Sequence, residues 1–160
     1  MPMVYTCVPG ANQTTNGSAN TANDAAWTKP GTARSSAIKS AFITGKGAGL
    51  TTISGIEIRG ELWTTTASST GTSITPTPAD QQMSAAASTA AFSATTVTSG
   101  TGGPSLQIAF GCGAAGPGGW VAQDPDSFLV INAAANRSLD WFNISGTISL
   151  NFEMSWTIQE

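Results

Sequence analysis

The chain has 160 residues, a formal net charge of −3 and only 9% charged residues, against roughly 25% in an average soluble domain. Its 5 Trp and 6 Phe residues argue against disorder, because disordered chains usually combine high net charge with few aromatic residues. The length suits one domain with a core of its own. The low charge predicts a β-rich domain whose surface is made polar by Ser, Thr and Asn.

The same composition argues against nucleic acid and membrane as partners. The cations are scattered along the chain, whereas phosphate binding needs several of them on one face. They are Lys29, Arg34, Lys39, Lys46, Arg59 and Arg137. No apolar run approaches the ~20 residues of a membrane span. The opening "MPMVYTCVPG" has neither a basic segment nor a long apolar stretch, so we expect no signal peptide. The protein is then either made and kept in a cytosol or exported by another route.

The first 36 residues are predicted to form an extended N-terminal arm. A short strand is expected at 3–8, and residues 9–36 then contain one large apolar side chain, Trp27, among many Asn, Thr, Gly and Ser. Such a stretch cannot bury enough surface to fold alone, so we expect the domain surface or a neighbouring subunit to hold it. Residues 37–160 are the predicted β-sandwich domain. The predicted intersubunit contact residues are Tyr5, Val8, Trp27, Pro30 and Trp63, with Trp27 as the anchor.

The central part of the chain contains several predicted strands. They cover 37–43, 51–63, 94–98, 105–110 and 120–122. In "ISGIEIRGELW", Ile58 and Leu62 alternate with charged residues, and Gly60 falls on the apolar side, which predicts a bulge or a close approach by another backbone. The segment 77–92 allows two interpretations. It is either a helix capped by Thr77 or an extended Ala/Ser/Thr connection.

The last third carries the clearest pattern. In residues 148–158, apolar and polar side chains alternate strictly, which places all the apolar ones on one face of a strand. Two further strands are predicted at 128–132 and 138–145, and short turns between the three predict an antiparallel meander. Many short strands, frequent Gly/Pro/Asn turns and little helical periodicity together predict an antiparallel two-sheet sandwich of the jelly-roll type.

A G-x-G-x-x-G pattern at Gly111, Gly113 and Gly116 raises the question of nucleotide binding. A dinucleotide loop opens a helix whose N-terminal N–H groups hold the pyrophosphate. Here Pro117 and two further glycines follow, and no acidic residue stands about 20 positions later. The pattern therefore predicts a tight loop between two strands, where backbones pack closely, and no cofactor.

Catalytic and metal sites are not predicted either. The chain has no histidine, which removes His-activated nucleophiles and His-based zinc sites. Glu57 and Glu61 share a strand face but are too far apart to act on one glycosidic bond, so we interpret them as a solvated face. A calcium site built from Asp124, Asp126 and Asp140 has too few ligands; the "DPDS" segment is predicted to be a turn.

Two cysteines, Cys7 and Cys112, are too few for a disulfide scaffold or a metal site. We interpret them as small buried thiols. A disulfide that joins the N-terminal segment to the glycine-rich loop is the alternative.

Four features together resemble small jelly-roll-like virion proteins of tailed bacteriophages that decorate or cement the capsid. They are the polar N-terminal arm, "GCGAAGPGGW" at 111–120, "DPDS" at 124–127 and the closing "SLNFEMSWTIQE" at 149–160. The resemblance is strongest over roughly residues 50–160 and rests on pattern and composition. It implies a non-enzymatic structural protein on the capsid outer surface, assembled in the host cytoplasm. The implied partners are the major capsid protein and further copies of the chain, as a homotrimer.

A second hypothesis is a lectin-like jelly-roll module of a phage tail or fibre that binds host glycans. It requires an exposed cluster of Trp63 with Trp120 or Trp141 next to hydrogen-bond acceptors. An enzyme is the third and weakest hypothesis, because without histidine a nucleophile–base pair would have to be built from carboxylates or lysine.

Overall fold

The computed structural model describes residues 2–9, 13–14, 24–46, 56–63, 68–98, 106–112, 117–134, 137–143 and 151–160. Thirteen strands lie in these ranges. They are β1 (Val4–Cys7), β2 (Gln13–Thr14), β3 (Asp24–Lys29), β4 (Ser36–Lys46), β5 (Ile56–Trp63), β6 (Ser68–Ile74), β7 (Thr77–Pro78), β8 (Thr89–Thr98), β9 (Leu106–Cys112), β10 (Gly118–Val121), β11 (Leu129–Ile131), β12 (Ser138–Asn143) and β13 (Asn151–Gln159). One 3-10 turn, Pro125–Ser127, precedes β11.

The strands form two antiparallel sheets. Sheet A has the order β10-β4-β13-β1-β7, with β11 also paired to β4 and β2 to β13. Sheet B has the order β6-β8-β3-β12-β5-β9. The prediction of an all-β antiparallel sandwich is therefore confirmed, whereas its finer assignment as a jelly roll stays a prediction. Within the described ranges, we find no helix with the length and hydrophobicity needed to cross a bilayer.

The core lies between the two sheets, and β13 supplies its largest apolar row. Met154, Trp156 and Ile158 are completely or almost completely buried, as the period-two pattern predicts. Their neighbours across β4 and β1 are small or apolar, such as Ala41 and Cys7 opposite Trp156. The Trp156 indole Nε1 donates a 2.7 Å hydrogen bond to Thr28 Oγ1 on sheet B. This buried bond satisfies the indole and joins the two sheets through the core.

Sheet B places Trp141 of β12 in the same core. The Trp141 ring lies over Gly60 of β5, its cross-strand neighbour, and meets Phe110 edge-on at 5.7 Å between ring centroids. A Cβ at position 60 would lie 2.5 Å from Trp141 Cζ3. The predicted close approach at Gly60 is therefore made by an aromatic side chain rather than by a backbone. The pairing of β5 with both neighbouring strands is regular there, so the predicted bulge is wrong.

The predicted boundary at residue 36 does not separate an arm from the sandwich. Strand β1 lies between β13 and β7, and β3 lies between β8 and β12 in the middle of sheet B. Tyr5, Ala26 and Thr28 are completely buried. Strand β3 was not predicted, because its inward-facing residues are small. They fill the core without forming an apolar run in the sequence. Residues 10–12 and 15–23 of the predicted arm lie outside the described residues.

Two further expectations are corrected. The segment after Thr77 forms a short strand, bends and a turn before β8, so the extended connection is confirmed and the helix is wrong. The final three strands do not form a meander, because β11 and β13 belong to sheet A and β12 belongs to sheet B. Period two identifies the buried face of a strand, but it does not identify the strand's partner.

The glycine-rich corner carries the chain from sheet B to sheet A. Gly111 lies in β9 and Gly118 begins β10; Gly113 and Gly116 lie outside the described residues. A Cβ on Gly118 would overlap the carbonyl oxygen of Gly111. The expectation of closely packed backbones is confirmed at this pair. A strand rather than a helix follows the corner, so the helix N-terminus that a nucleotide phosphate requires is not formed at Gly118–Val121.

Candidate interaction surfaces

Each sheet has an outer face that points away from the core. The outer face of sheet A is made of alternate residues of β1, β4, β10, β11 and β13. These are Val4, Thr6, Ala37, Ser40, Phe42, Thr44, Gly119, Val121, Val130, Glu153, Ser155, Thr157 and Gln159, and Val8 continues the alternation after β1. Glu153 in this set is charged, and Lys39 lies next to Ser40 between the inward-facing Ile38 and Ala41.

The strand register arranges these residues in rows across sheet A. One row joins Val121, Ser40, Thr157 and Thr6, and within it the Ser40 hydroxyl donates a 3.1 Å hydrogen bond to Thr157 Oγ1. A second row joins Gly119, Phe42 and Ser155, and a third joins Val130, Ala37, Gln159 and Val4. The face is thus a set of apolar side chains separated by hydroxyl groups.

Four large apolar side chains on or beside this face are exposed. Phe42, Val121, Val130 and Val8 show 46%, 55%, 45% and 48% of their surface. Together they are the exposed large hydrophobic residues of the described chain. Single exposed apolar residues are ordinary on protein surfaces, whereas several on one poorly charged face are typical of an interaction surface.

A bulge in β4 explains why Phe42 faces outward. Ile38 and Phe42 are four residues apart, so strict alternation would bury both. The pairing of β4 with β13 shifts by one residue, with Thr157 opposite Ser40 and Ile158 opposite Ile38. Beyond the shift, Ala41 and Ile43 point into the core and Phe42 points away from it. Lys39 lies at the bulge, with its Nζ 5.4 Å from the centroid of the Phe128 ring.

The outer face of sheet B has the opposite character. It carries Trp27, Lys29, Glu57, Arg59, Glu61, Trp63, Ala91, Ser138, Asp140 and Phe142. Although these residues point away from the core, Glu61, Trp63, Ala91, Ser138, Asp140 and Phe142 are all buried. This face therefore combines buried aromatic residues with buried charges.

Asp140 lies at the centre of that face and is completely buried. Burial raises its pKa from 3.8 to about 7, and the neighbouring Glu61 carboxylate adds to the increase. The Ser138 hydroxyl and the Lys29 ammonium group lower the pKa, but neither carboxylate oxygen accepts a hydrogen bond of normal geometry from the described residues. Near neutral pH, Asp140 is thus poised between its neutral and charged forms.

Glu61 is the cross-strand neighbour of Asp140. Arg59 Nε lies 2.7 Å from Glu61 Oε1, so Glu61 has a cation beside it. Among the residues that the structure describes, no cation forms such an ion pair with Asp140. The expected solvated pair of Glu57 and Glu61 is wrong for Glu61, which is only 5% exposed. A neutral acid next to an ionised carboxylate occurs in glycosidase sites. However, a substrate could not reach a fully covered Asp140 in this conformation.

The other candidate ligands are structural. Asp124 accepts a 3.0 Å hydrogen bond from the Ser127 backbone N–H, which caps the Pro125–Ser127 turn; the predicted "DPDS" turn is confirmed. Asp140 lies in sheet B and does not join this turn. Within the described ranges, no three His, Cys, Asp or Glu residues are grouped as metal ligands. Cys7 and Cys112 are free and buried, which confirms them as buried thiols, and burial raises the pKa of Cys7 to about 12.

The predicted contact residues are scattered over the molecule. Tyr5 is completely buried and its hydroxyl donates a 3.0 Å hydrogen bond to the Ser84 carbonyl; Trp63 and Pro30 are also buried. These three side chains are therefore covered by their own chain. Trp27 is half-buried, with Lys29 Nζ 4.8 Å from its ring centroid. Val8 alone is exposed and lies beside the outer face of sheet A.

The tryptophan cluster that a lectin would need is not formed. Trp63 is buried on the outer face of sheet B, and Trp141 is buried on the inner face of the same sheet. Trp120 lies on sheet A, paired with Ala41. Trp120 and Trp141 face the same core, whereas Trp63 points away from it, so the three rings do not form an exposed stacking platform.

No known family model matches the sequence, and no curated protein and no solved structure shows significant similarity to it.

Proposed function

We propose that this chain is a non-enzymatic virion structural protein that decorates and cements a phage capsid, with the outer face of sheet A as its docking surface. In this proposal the partners are the major capsid protein and further copies of the chain. The observation that carries the proposal is the exposure of Phe42, Val121 and Val130 on one face of sheet A.

The chemistry of this face suits a broad and permanent contact. Burying an unpaired charge is costly, whereas a Ser or Thr hydroxyl can keep a hydrogen-bond partner or a bridging water when it is covered. The hydroxyl row between the apolar side chains can therefore be buried without leaving ions unpaired. Many copies on a shell add avidity, so that each single contact can be weak.

The rigidity of the sandwich supports the same proposal. Its docking face is built on five paired strands of sheet A rather than on loops, and such a face changes little in shape when it binds. A decoration protein needs this property because the same contact must be repeated at each equivalent position of a lattice. The homotrimer implied by the resemblance remains a part of the proposal.

The test is co-sedimentation with capsids of the virus that encodes the chain, stripped of this protein. Phe42→Glu and Val121→Glu each place a charge on the docking face, and we expect at least a tenfold loss of bound protein. Ala85→Glu is the matched control, because Ala85 is exposed in the β7–β8 connection. Wild-type protein that fails to bind, or Phe42→Glu protein that binds as well as Ala85→Glu, would contradict the proposal.

A further inference from the structure

The edge strands of the two sheets are not equally protected against pairing with other chains. Natural sheets protect their edges with charges, prolines, bulges or covering elements, because an open edge pairs with other chains. In sheet A, Pro78 of β7 lies at one edge and removes a backbone donor. At the glycine corner, β9 and β10 come close together across the two sheets, with Gly118 packed against the Gly111 carbonyl, so this end of each of the two edge strands is covered.

Strand β6 is the other edge of sheet B; in sheet A, the short strands β2 and β11 also have a single partner each within the described ranges. Strand β6 is the terminal strand of sheet B and pairs with β8 on one side; within the described ranges no strand pairs with its other side. Its sequence, SSTGTSI, contains no charged residue and no proline. Gly71, Thr72 and Ser73 are exposed. One protective feature is present, a shift in register between Thr70 and Thr72.

The sequence of β6 is also self-complementary. Residues 69–73 read STGTS, which is the same in both directions around Gly71. If two antiparallel copies of β6 are centred on Gly71, then Thr70 of one copy faces Thr72 of the other, and Ser69 faces Ser73. Cross-strand Thr and Ser pairs of this kind form stabilising hydrogen bonds. At the centre, neither glycine has a side chain to hold the two backbones apart.

We infer that β6 is a two-fold association edge, at which β6 of a second copy continues sheet B in antiparallel register around Gly71. Such a contact is isologous, because each copy contributes the same residues. Its affinity comes from main-chain hydrogen bonds, as in other strand-addition complexes. The contact is independent of the docking face on sheet A, and it adds a two-fold link to the three-fold association proposed above.

The register is tested with two single-cysteine variants, Thr70→Cys and Thr72→Cys, carrying different tags and mixed under mild oxidation. Because position 70 faces position 72 of the other copy, we expect covalent heterodimer in the mixture at ten or more times the amount of homodimer that either variant forms alone. The native thiols are buried and do not compete. Thr32→Cys, at an exposed bend, replaces Thr72→Cys in the control mixture.

The inference is overturned if the control mixture forms as much covalent heterodimer as the test mixture, or if the test mixture forms none. Thermal unfolding of both variants, compared with the wild type, ensures that the cysteines lie in folded chains. An independent check is Thr72→Lys, which places a charge at the edge and is expected to weaken association at least tenfold in sedimentation velocity, with Thr32→Lys unchanged. If Phe42→Glu abolishes capsid binding while these cross-links fail, the function stands and the β6 inference alone is wrong.

Discussion

The two outer faces of this sandwich reverse the usual distribution of residues. On sheet A, Phe42 shows 46% of its surface among hydroxyl groups. On sheet B, Phe142 shows 6% beside the fully buried Asp140. A lone sandwich in water is expected to cover its apolar side chains and expose its charges. The difference indicates that the outer face of sheet B contributes to the stability of the fold, and that the outer face of sheet A leaves apolar side chains uncovered.

The largest expected effect comes from deleting residues 1–36. The deletion removes β1 and β3, which are interior strands of sheets A and B, and it leaves Trp156 without its hydrogen-bond acceptor Thr28. We expect no cooperative unfolding transition in differential scanning calorimetry. A truncated chain that still melts cooperatively, near the temperature of the intact protein, would restore the separate arm predicted from the sequence.

Truncating one phenylalanine on each outer face compares the two faces directly. Phe142→Ala removes a buried ring, which costs about 3–5 kcal/mol, whereas Phe42→Ala removes an exposed one and is expected to cost less than about 1 kcal/mol. Urea denaturation followed by tryptophan fluorescence measures both values. Equal losses of stability would mean that the two faces do not differ in the way proposed here.

A smaller effect is expected from the titration of Asp140. Its pKa is about 7 in the folded state and near 3.9 in an unfolded chain. Between these values the folded state holds a proton that the unfolded state has released, so stability falls as pH rises, by at most about 1.4 kcal/mol per pH unit. The loss is complete above pH 7. Asp140→Asn is expected to remove this slope and to be more stable than the wild type at pH 8.

The control for this titration is Asp126→Asn, which neutralises an exposed carboxylate and should retain the wild-type slope. Thermal unfolding from pH 4 to pH 8 provides the measurement. If Asp140→Asn keeps the wild-type dependence on pH, then Asp140 is ionised and stabilised in the folded protein, and the description of sheet B given above is wrong.

The sequence allowed the fold class and most strands to be predicted, because period two is a local signal. The alternation in β13 identified Met154, Trp156 and Ile158 as core residues, as the structure confirms. Strand β3 was missed because Ala26 and Thr28 are small, and β6 was missed because it consists of Ser, Thr and Gly with a single Ile. Both segments become strands because they pair with neighbouring strands of sheet B, and not because they contain an apolar run.

The two outer faces could not be predicted, because they depend on contacts between distant parts of the chain. The exposure of Phe42 follows from a bulge at Lys39, which only the pairing with β13 reveals. The burial of Asp140 follows from its position beside Glu61 and Trp27, which are far from it in sequence. The sequences that immediately flank Phe42 and Asp140 resemble those of any β-strand, so they do not reveal the exposure of one side chain or the burial of the other.

The most direct test of the docking face is hydroxyl-radical footprinting of the protein free and bound to capsids. We predict that oxidation of Phe42 falls at least tenfold on binding, while oxidation of the half-buried Trp27 on sheet B stays within twofold of its value in the free protein. Unchanged oxidation of Phe42 in bound protein, or protection confined to Trp27, would contradict the claim that sheet A faces the shell.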